Sequence, residues 1–172
     1  KFFAQYAEPI PAVGATFEHI QRNAQLYESA AVLSKAAADN RVWLIGGSIP
    51  ERVVGSNNNN NSNNNNNNNN VAAAVASSST TTTNDKLFNS SMIFSPDGAL
   101  RAVHRKIHLF CIRTETVTMD EAEVLTAGDT PTVVDIVPPT TTNNTASDAS
   151  APFPEFKMGV AICFDLRFPQ LA

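Results

Sequence analysis

The stretch KMGVAICFDLRFPQLA, from Lys157 to Ala172, decides how this chain is interpreted. Its apolar run Met158 to Ile162 is typical of a short strand that is buried on both faces of a sheet. Cys163 ends this run, and the polar sequence FDLR follows at once. A cysteine between a strand and a sharp bend can present its thiol to a cleft, as in a nucleophile elbow, although G-x-S-x-G is absent. The alternative is a structural core cysteine, because free cysteines are among the most buried residues.

Length and composition indicate one globular domain. The chain has 172 residues, of which 42% are hydrophobic, enough for a sizeable core. The net charge of −4 gives no general attraction to nucleic acid or to an anionic membrane. No apolar run reaches the roughly 18 residues that a membrane span needs. Cys111 and Cys163 do not make a disulfide framework, so a reducing compartment is expected.

Two local patterns carry little weight. His104 and His108 form the one close histidine pair, a weak metal signal in a segment that runs from a strand into a loop, so no metal site is predicted. Asn89 begins the sequon Asn-Ser-Ser, which is discounted for a protein expected in a reducing compartment.

The first fifty residues predict a helix followed by a strand. Thr16 can cap a helix over 16–40, in which apolar residues recur at three- and four-residue spacing. The apolar run Val42 to Ile49 is predicted as a buried strand that is stopped by Pro50. The glycine pair 46–47 within it predicts a bend or a close backbone approach, and it lacks the spacing of a nucleotide loop. A helix followed by an apolar strand favours an α/β layer arrangement.

Two low-complexity tracts, residues 56–84 and 138–154, interrupt the rest of the chain. Their Asn, Ala, Ser and Thr residues bury too little apolar surface to offset the entropy of ordering, so both are predicted to be disordered insertions. Between them, 87–95 and 99–105 are predicted as the strands of a hairpin around a Pro-Asp-Gly turn. A further strand is predicted over 133–137.

The residue types allow a reactive set around Cys163. Lys106 would favour the thiolate and stabilise a developing oxyanion. A carboxylate would take the thiol proton and later activate water. On composition alone, however, Lys106 is a solvated charge, and nothing in the periodicity joins it to Cys163.

Three motifs together resemble the nitrilase, or carbon–nitrogen hydrolase, superfamily. They are GGSIPE (Gly46 to Glu51), HRKIHLF (His104 to Phe110) and GVAICFDLRFP (Gly159 to Pro169). Within it the chain is most similar to the omega-amidase branch, the nitrilase-like proteins that hydrolyse α-keto acid amides. The lead-in KFFAQYAEPIP, the hairpin sequence and TMDEAEVLTAGD (Thr118 to Asp129) share this resemblance.

The resemblance implies an αββα sandwich and a Glu-Lys-Cys triad that needs no cofactor and no metal. Cys163 would attack the amide carbon, while Lys106 and the backbone N–H of Phe164 would hold the oxyanion. Ammonia would leave, and water would hydrolyse the thioester. Glu121 matches a second glutamate that lies near the lysine and helps to position the catalytic groups.

The chain also departs from the family pattern. The general-base glutamate of the family precedes the sequence that matches KFF, so it is expected upstream of Lys1. The 1–172 chain is therefore interpreted as a partial domain without the N-terminal strand and the C-terminal half, inactive and poorly folded alone. Cys111 stands where an aspartate is usual. Asp165 and Arg167 follow the cysteine as in the family and are expected to brace the bend.

For the full-length protein, the resemblance implies hydrolysis of a small keto-acid amide such as 2-oxoglutaramate. It also implies a cytoplasmic or mitochondrial homo-oligomer, a dimer, that binds neither nucleic acid nor membrane. Two alternatives remain open at this point. One is another amidase of the superfamily, acting on deaminated glutathione or a carbamoyl amine. The other is a non-catalytic binding module that uses the insertions for interaction.

Overall fold

The computed structural model describes residues 2–55, 85–138 and 154–171. The disorder predicted for the two insertions concerns residues outside these ranges, apart from Pro138 and Pro154 at the ends of the second one. Within the described ranges, none of the helices has the length and apolar character needed to cross a membrane.

The described part of the chain contains three helices, α1 (Phe2–Gln5), α2 (Phe17–Arg22) and α3 (Glu28–Asn40), of which α2 and α3 contribute to the core on one side of the sheet. Thr16 caps α2 as predicted, because its hydroxyl oxygen accepts from the backbone N–H of His19 at 3.3 Å. The prediction of one continuous helix over 16–40 is wrong, since the chain turns between α2 and α3. Asn23 is the C-cap of α2, and both its backbone N–H and its side-chain amide donate to the carbonyl of His19, at 3.3 and 2.7 Å.

The main sheet has three antiparallel strands in the order β1-β2-β3, namely β1 (Leu44–Val53), β2 (Lys86–Phe94) and β3 (Leu100–Arg105). The predicted hairpin is confirmed, since β2 and β3 pair around the Pro-Asp-Gly turn. The turn is closed by the N–H of Gly98, which donates to the carbonyl of Ser95 at 2.8 Å. Gly98 has a φ of +79°, a conformation that favours glycine.

Strand β1 differs from its prediction at both ends and in its burial. It begins at Leu44 instead of Val42, and the prediction of a buried strand is wrong, since only Gly46 and Glu51 of its residues are buried and Ile45 is 47% exposed. It runs through Pro50, which lies opposite Asn89 of β2, so the prediction that Pro50 stops the strand is wrong. Among the described strands β1 lies at a sheet edge, where a proline without an N–H is tolerated. The predicted bend is confirmed by a register shift between Ile45 and Ser48. A Cβ on Gly46 would lie 2.6 Å from a methyl carbon of Leu33, so the backbone approach is also close.

Two further antiparallel pairs complete the described structure: β4 (Cys111–Arg113) with β5 (Thr118–Asp120), and β6 (Thr132–Ile136) with β7 (Phe156–Val160). The predicted strand before Cys163 is present, but it ends at Val160 instead of Ile162. It is not buried on both faces, since Phe156 is 49% exposed and Val160 alone of its residues is buried. In the described part of the chain, β6 is the strand with which β7 pairs.

The alternation of β2 separates two cores. Met92 and Phe94 pack on one side against Ile20 and the alanines of α3. Ile93 points to the other side, where it packs against Val134 and its neighbours on β6 and β7. The three-stranded sheet therefore lies between the helices and the β6-β7 pair, which confirms the predicted α/β layering.

Replacing Gly98 should test how much the hairpin turn contributes to stability. A Cβ there would lie 2.9 Å from the carbonyl oxygen of Ser34 and would force a side chain into a positive φ. We expect Gly98→Ala to lower the free energy of unfolding by about 1–3 kcal/mol in chemical denaturation. Gly47→Ala is the matched control, because nothing lies within 4 Å of its added Cβ. Equal midpoints for the two variants would contradict this account of the turn.

Candidate active site

Cys163 lies on a strained bend between β7 and a 3-10 helix, Cys163–Arg167. Its φ is +50°, in the left-handed region that side chains other than glycine rarely adopt. Its residue is exposed, so the thiol is not part of the core. The predicted sharp bend is therefore confirmed, and the alternative of a buried structural cysteine does not hold. Strain of this kind persists only where the surroundings enforce it.

Asp165 is one of the residues that contact the bend at Cys163. The residue is 1% exposed, and its Oδ2 accepts from the backbone N–H of Ile162, just before the bend, at 3.1 Å. Its Oδ1 accepts from the backbone N–H of His108 at 2.7 Å. Burial by itself raises the pKa of Asp165, but these two hydrogen bonds and those from two imidazoles outweigh it and lower the pKa. The carboxyl group is therefore ionised at neutral pH.

Both histidines of the HRKIHLF motif reach this carboxylate. The Nε2 of His104 lies 3.1 Å from Oδ2, and the Nδ1 of His108 lies 3.0 Å from Oδ1. Sequence reasoning considered the pair only as a weak metal signal and missed this role. The available signal was a histidine at a buried position of a predicted strand. Across the described residues, no group of three or more His, Cys, Asp or Glu side chains could hold a metal ion.

Lys106 directly follows β3, and backbone hydrogen bonds fix its position. Its N–H donates to the carbonyl of Asn89, and its own carbonyl accepts from the N–H of Gly128, both at 2.8 Å. Gly128 lies so close that a Cβ there would be 2.3 Å from the carbonyl oxygen of Arg105. The chain around Lys106 is thus fixed on two sides.

The side chain of Lys106 is buried, not solvated. The residue is 1% exposed, and its Nζ donates to Oε2 of Glu121 at 2.6 Å. The same carboxylate oxygen accepts from the backbone N–H of Phe110 at 2.8 Å. Glu121 begins a short 3-10 helix, Glu121–Glu123, and is mostly shielded. The two residues that the motifs singled out are therefore a direct ion pair.

An aromatic cluster joins the bend to the segment after Lys106. The ring of Phe164 meets that of Phe110 edge-on at 5.3 Å between centroids, and that of Phe168 edge-on at 5.6 Å. Phe168 also stacks on the His108 ring at 3.6 Å. Such contacts stabilise packing beyond the area they bury. They bring Cys163 and its neighbours against the lysine-bearing segment, although no described hydrogen bond joins the thiol to Lys106.

Cys111 has different surroundings. It lies on β4, and its sulfur is 3.5 Å from Oδ2 of Asp120, which also accepts from Arg113 at 3.0 Å. Cys163, by contrast, has no carboxylate partner among the described residues.

One cavity lies away from these residues. It has a volume of about 420 Å³ and is lined by Glu51, Arg105, Asp129 and Thr132 and by residues 10–13. Its polar side is an ion pair, in which hydrogen bonding to Glu51 raises the pKa of Arg105. Neither Cys163 nor Lys106 contributes to the cavity, so it does not define the reaction.

Comparison with known proteins shows the family of this chain. The family model for carbon-nitrogen hydrolases matches residues 3–172, so this chain belongs to the carbon-nitrogen hydrolase family. It is 33% identical to the chloroplastic omega-amidase of Arabidopsis thaliana, over 99% of the chain and 31% of that protein. It is 30% identical to an omega-amidase of Homo sapiens, over 100% of the chain and 40% of that protein. A hydrolase of Schizosaccharomyces pombe is 33% identical over 99% of the chain and 35% of its own length.

The chain thus spans between 31% and 40% of the length of these relatives. The family membership is consistent with the α/β layers described above.

Replacing Glu121 should reveal the dependence of Lys106 on its partner. We expect Glu121→Gln to lower the free energy of unfolding by about 3 kcal/mol, near the low end for leaving one buried charge without its counter-ion. Glu123→Gln is the control, since this exposed residue belongs to the same short helix and should change stability by less than about 0.5 kcal/mol. Thermal or urea unfolding of the full-length protein measures both. Similar losses in the two variants would show that the ion pair has no special role.

Proposed function

We propose that the full-length protein is an omega-amidase, which hydrolyses the amide of a small α-keto acid such as 2-oxoglutaramate and releases ammonia. The observation that carries this proposal is the combination of an exposed Cys163 on a strained bend with a buried Lys106–Glu121 ion pair. The relatives named as omega-amidases support the substrate class.

The reaction begins with the thiol of Cys163. A carboxylate takes its proton, and the sulfur attacks the amide carbon to form a C–S bond while the carbonyl oxygen becomes an oxyanion. The ammonium of Lys106 and the N–H of Phe164 donate to that oxyanion. The C–N bond then breaks, the nitrogen takes the proton from the carboxylic acid, and ammonia leaves. The acyl group remains as a thioester on Cys163.

Water completes the cycle. The carboxylate, now free of its proton, removes one from water, and the resulting hydroxide attacks the thioester carbon. The C–S bond breaks, the thiolate recovers a proton, and the keto acid leaves. In this scheme the carboxylate is a glutamate supplied by sequence before Lys1, as in the family resemblance. No step needs a metal or an organic cofactor.

Glu121 serves the lysine in this scheme and does not replace the general base. Its Oε2 is already shared between Nζ of Lys106 at 2.6 Å and the N–H of Phe110 at 2.8 Å. A carboxylate engaged in this way holds the Nζ of Lys106 in one position. In this scheme the positive charge of Lys106 stabilises the oxyanion.

The wider organisation of the protein is also part of the proposal. The helices, the three-stranded sheet and the β6-β7 pair would be portions of an αββα sandwich. The remaining strands would come from sequence outside 1–172, in keeping with the 31% to 40% coverage of the relatives. We infer a homodimer that acts on a small molecule in the cytoplasm or in mitochondria, with no nucleic-acid or membrane partner.

The substrate assignment can be tested with the purified full-length protein. We expect ammonia release from 2-oxoglutaramate with a kcat/KM at least tenfold above that for deaminated glutathione or a carbamoyl amine. Cys163→Ser is the control for background hydrolysis, because it retains the site but removes the strong nucleophile. A preference for deaminated glutathione or for the carbamoyl amine would replace the omega-amidase assignment with one of these amidases. Absence of hydrolysis with all three amides would favour a non-catalytic module.

A further inference from the structure

The buried carboxylate of Asp165 receives hydrogen bonds from three separate segments. The N–H of Ile162 comes from the chain just before the nucleophile. Two donors of His108, its N–H and its Nδ1, come from the segment that follows Lys106. The Nε2 of His104 comes from β3. Each of these segments belongs to, or adjoins, a residue of the proposed mechanism.

We propose that Asp165 and His104 are positioning residues that hold the nucleophile Cys163 in register with Lys106. This inference rests on the proposed function, because it assigns roles for the same reaction. Neither residue touches the substrate in the scheme above. Asp165 acts through the backbone N–H groups that it binds, and His104 acts through Asp165.

The bridge between the two catalytic segments is short. Asp165 is two residues after Cys163, and His108 is two residues after Lys106. Oδ1 of Asp165 contacts the backbone N–H of His108 at 2.7 Å and the ring nitrogen at 3.0 Å. A single carboxylate oxygen therefore ties the bend to the lysine segment, so that a displacement of one segment displaces the other.

The second oxygen acts on the bend itself. Oδ2 of Asp165 accepts from the N–H of Ile162 at 3.1 Å, next to the residue whose φ is +50°. A left-handed conformation at Cys163 costs free energy and relaxes unless neighbouring contacts enforce it. The carboxylate supplies that contact from inside the turn.

His104, on strand β3, orients the carboxylate of Asp165. The residue is completely buried, with its Nε2 at 3.1 Å from Oδ2 of Asp165 and its Nδ1 at 3.1 Å from the hydroxyl of Thr132. An ionised carboxylate can only accept, so Nε2 carries a proton. A buried imidazole bound at both nitrogens has one fixed ring orientation. His104 therefore connects β3 and β6 to the nucleophile bend.

Two substitutions of His104 separate positioning from packing. Glutamine can place its amide near the position of Nε2 and keep a donor to Asp165. Asparagine can place its amide only near Nδ1, so it keeps the contact with Thr132 and loses the donor to Asp165. Both remove the imidazole, so both are expected to lower the melting temperature of the full-length protein.

The measurement is the rate of carbamidomethylation of Cys163 by iodoacetamide at neutral pH, followed by peptide mapping, together with kcat and KM. We expect His104→Asn to slow alkylation at least fivefold and to lower kcat at an unchanged KM. We expect His104→Gln to remain within twofold of the unsubstituted protein. Equal slowing in both variants would mean that the imidazole only fills space. No slowing in either variant would also overturn the proposal.

A second pair covers the case in which His104 variants fail to fold. Asp165→Asn presents an amide to four N–H donors, and we expect alkylation to slow at least tenfold. Asp135→Asn is its control, since this exposed carboxylate on β6 forms an ion pair with Lys157 and, among the described residues, with no other group. Unchanged alkylation in Asp165→Asn would overturn the proposal. Because alkylation needs no substrate, a failure of the omega-amidase assignment leaves this test intact and is recognised separately.

Discussion

A charged carboxylate that is removed from water must be fully hydrogen-bonded, and this requirement at Asp165 governs the region around the site. Its four contacts come from Ile162, His104 and His108, which belong to three different parts of the chain. None of these segments can shift alone without leaving a buried donor or acceptor unpaired, which costs about 1–3 kcal/mol for each group. The strained bend at Cys163 is stable because it is enclosed by this arrangement.

Lys106 carries the second buried charge, a positive one, and it too needs hydrogen-bond partners. Its ammonium is matched by Glu121, whose oxygen also binds the N–H of Phe110. The Lys106 residue is 1% exposed, and the ring of Phe164 packs against those of Phe110 and Phe168. A low-dielectric surround strengthens the field of the lysine at a developing oxyanion. The site thus combines an exposed thiol with a shielded cation.

The fold was predictable from sequence where short-range rules decide it. The turn chemistry at residues 96–98 predicted the hairpin, the spacing after Thr16 predicted a capped helix, and the end of the apolar run predicted the bend at Cys163. The errors have local competing causes. Asn23 caps the C-terminus of α2, and the edge position of β1 lets the strand continue through Pro50.

The contacts of the site were less accessible to sequence reasoning. His104 and Asp165 are 61 residues apart, and Lys106 and Glu121 are 15 apart, so no periodicity relates them. The resemblance of the motifs to the family predicted that Lys106, Glu121 and Cys163 belong to one site. In the structure, Lys106 and Glu121 form an ion pair. The two histidines were missed because their partner is defined only by tertiary structure. A histidine at a buried position of a predicted strand indicates that its ring has a hydrogen-bond partner, but the sequence does not identify that partner.

The central claim is that Cys163 forms a covalent thioester during amide hydrolysis. Acid quenching of the full-length protein during turnover of 2-oxoglutaramate, followed by digestion and mass spectrometry, tests it most directly. The account predicts an added acyl group, equal to the substrate minus ammonia, on the peptide that contains Cys163 and none on the peptide that contains Cys111. An acyl group on Cys111, or turnover that persists after Cys163→Ala, would contradict it.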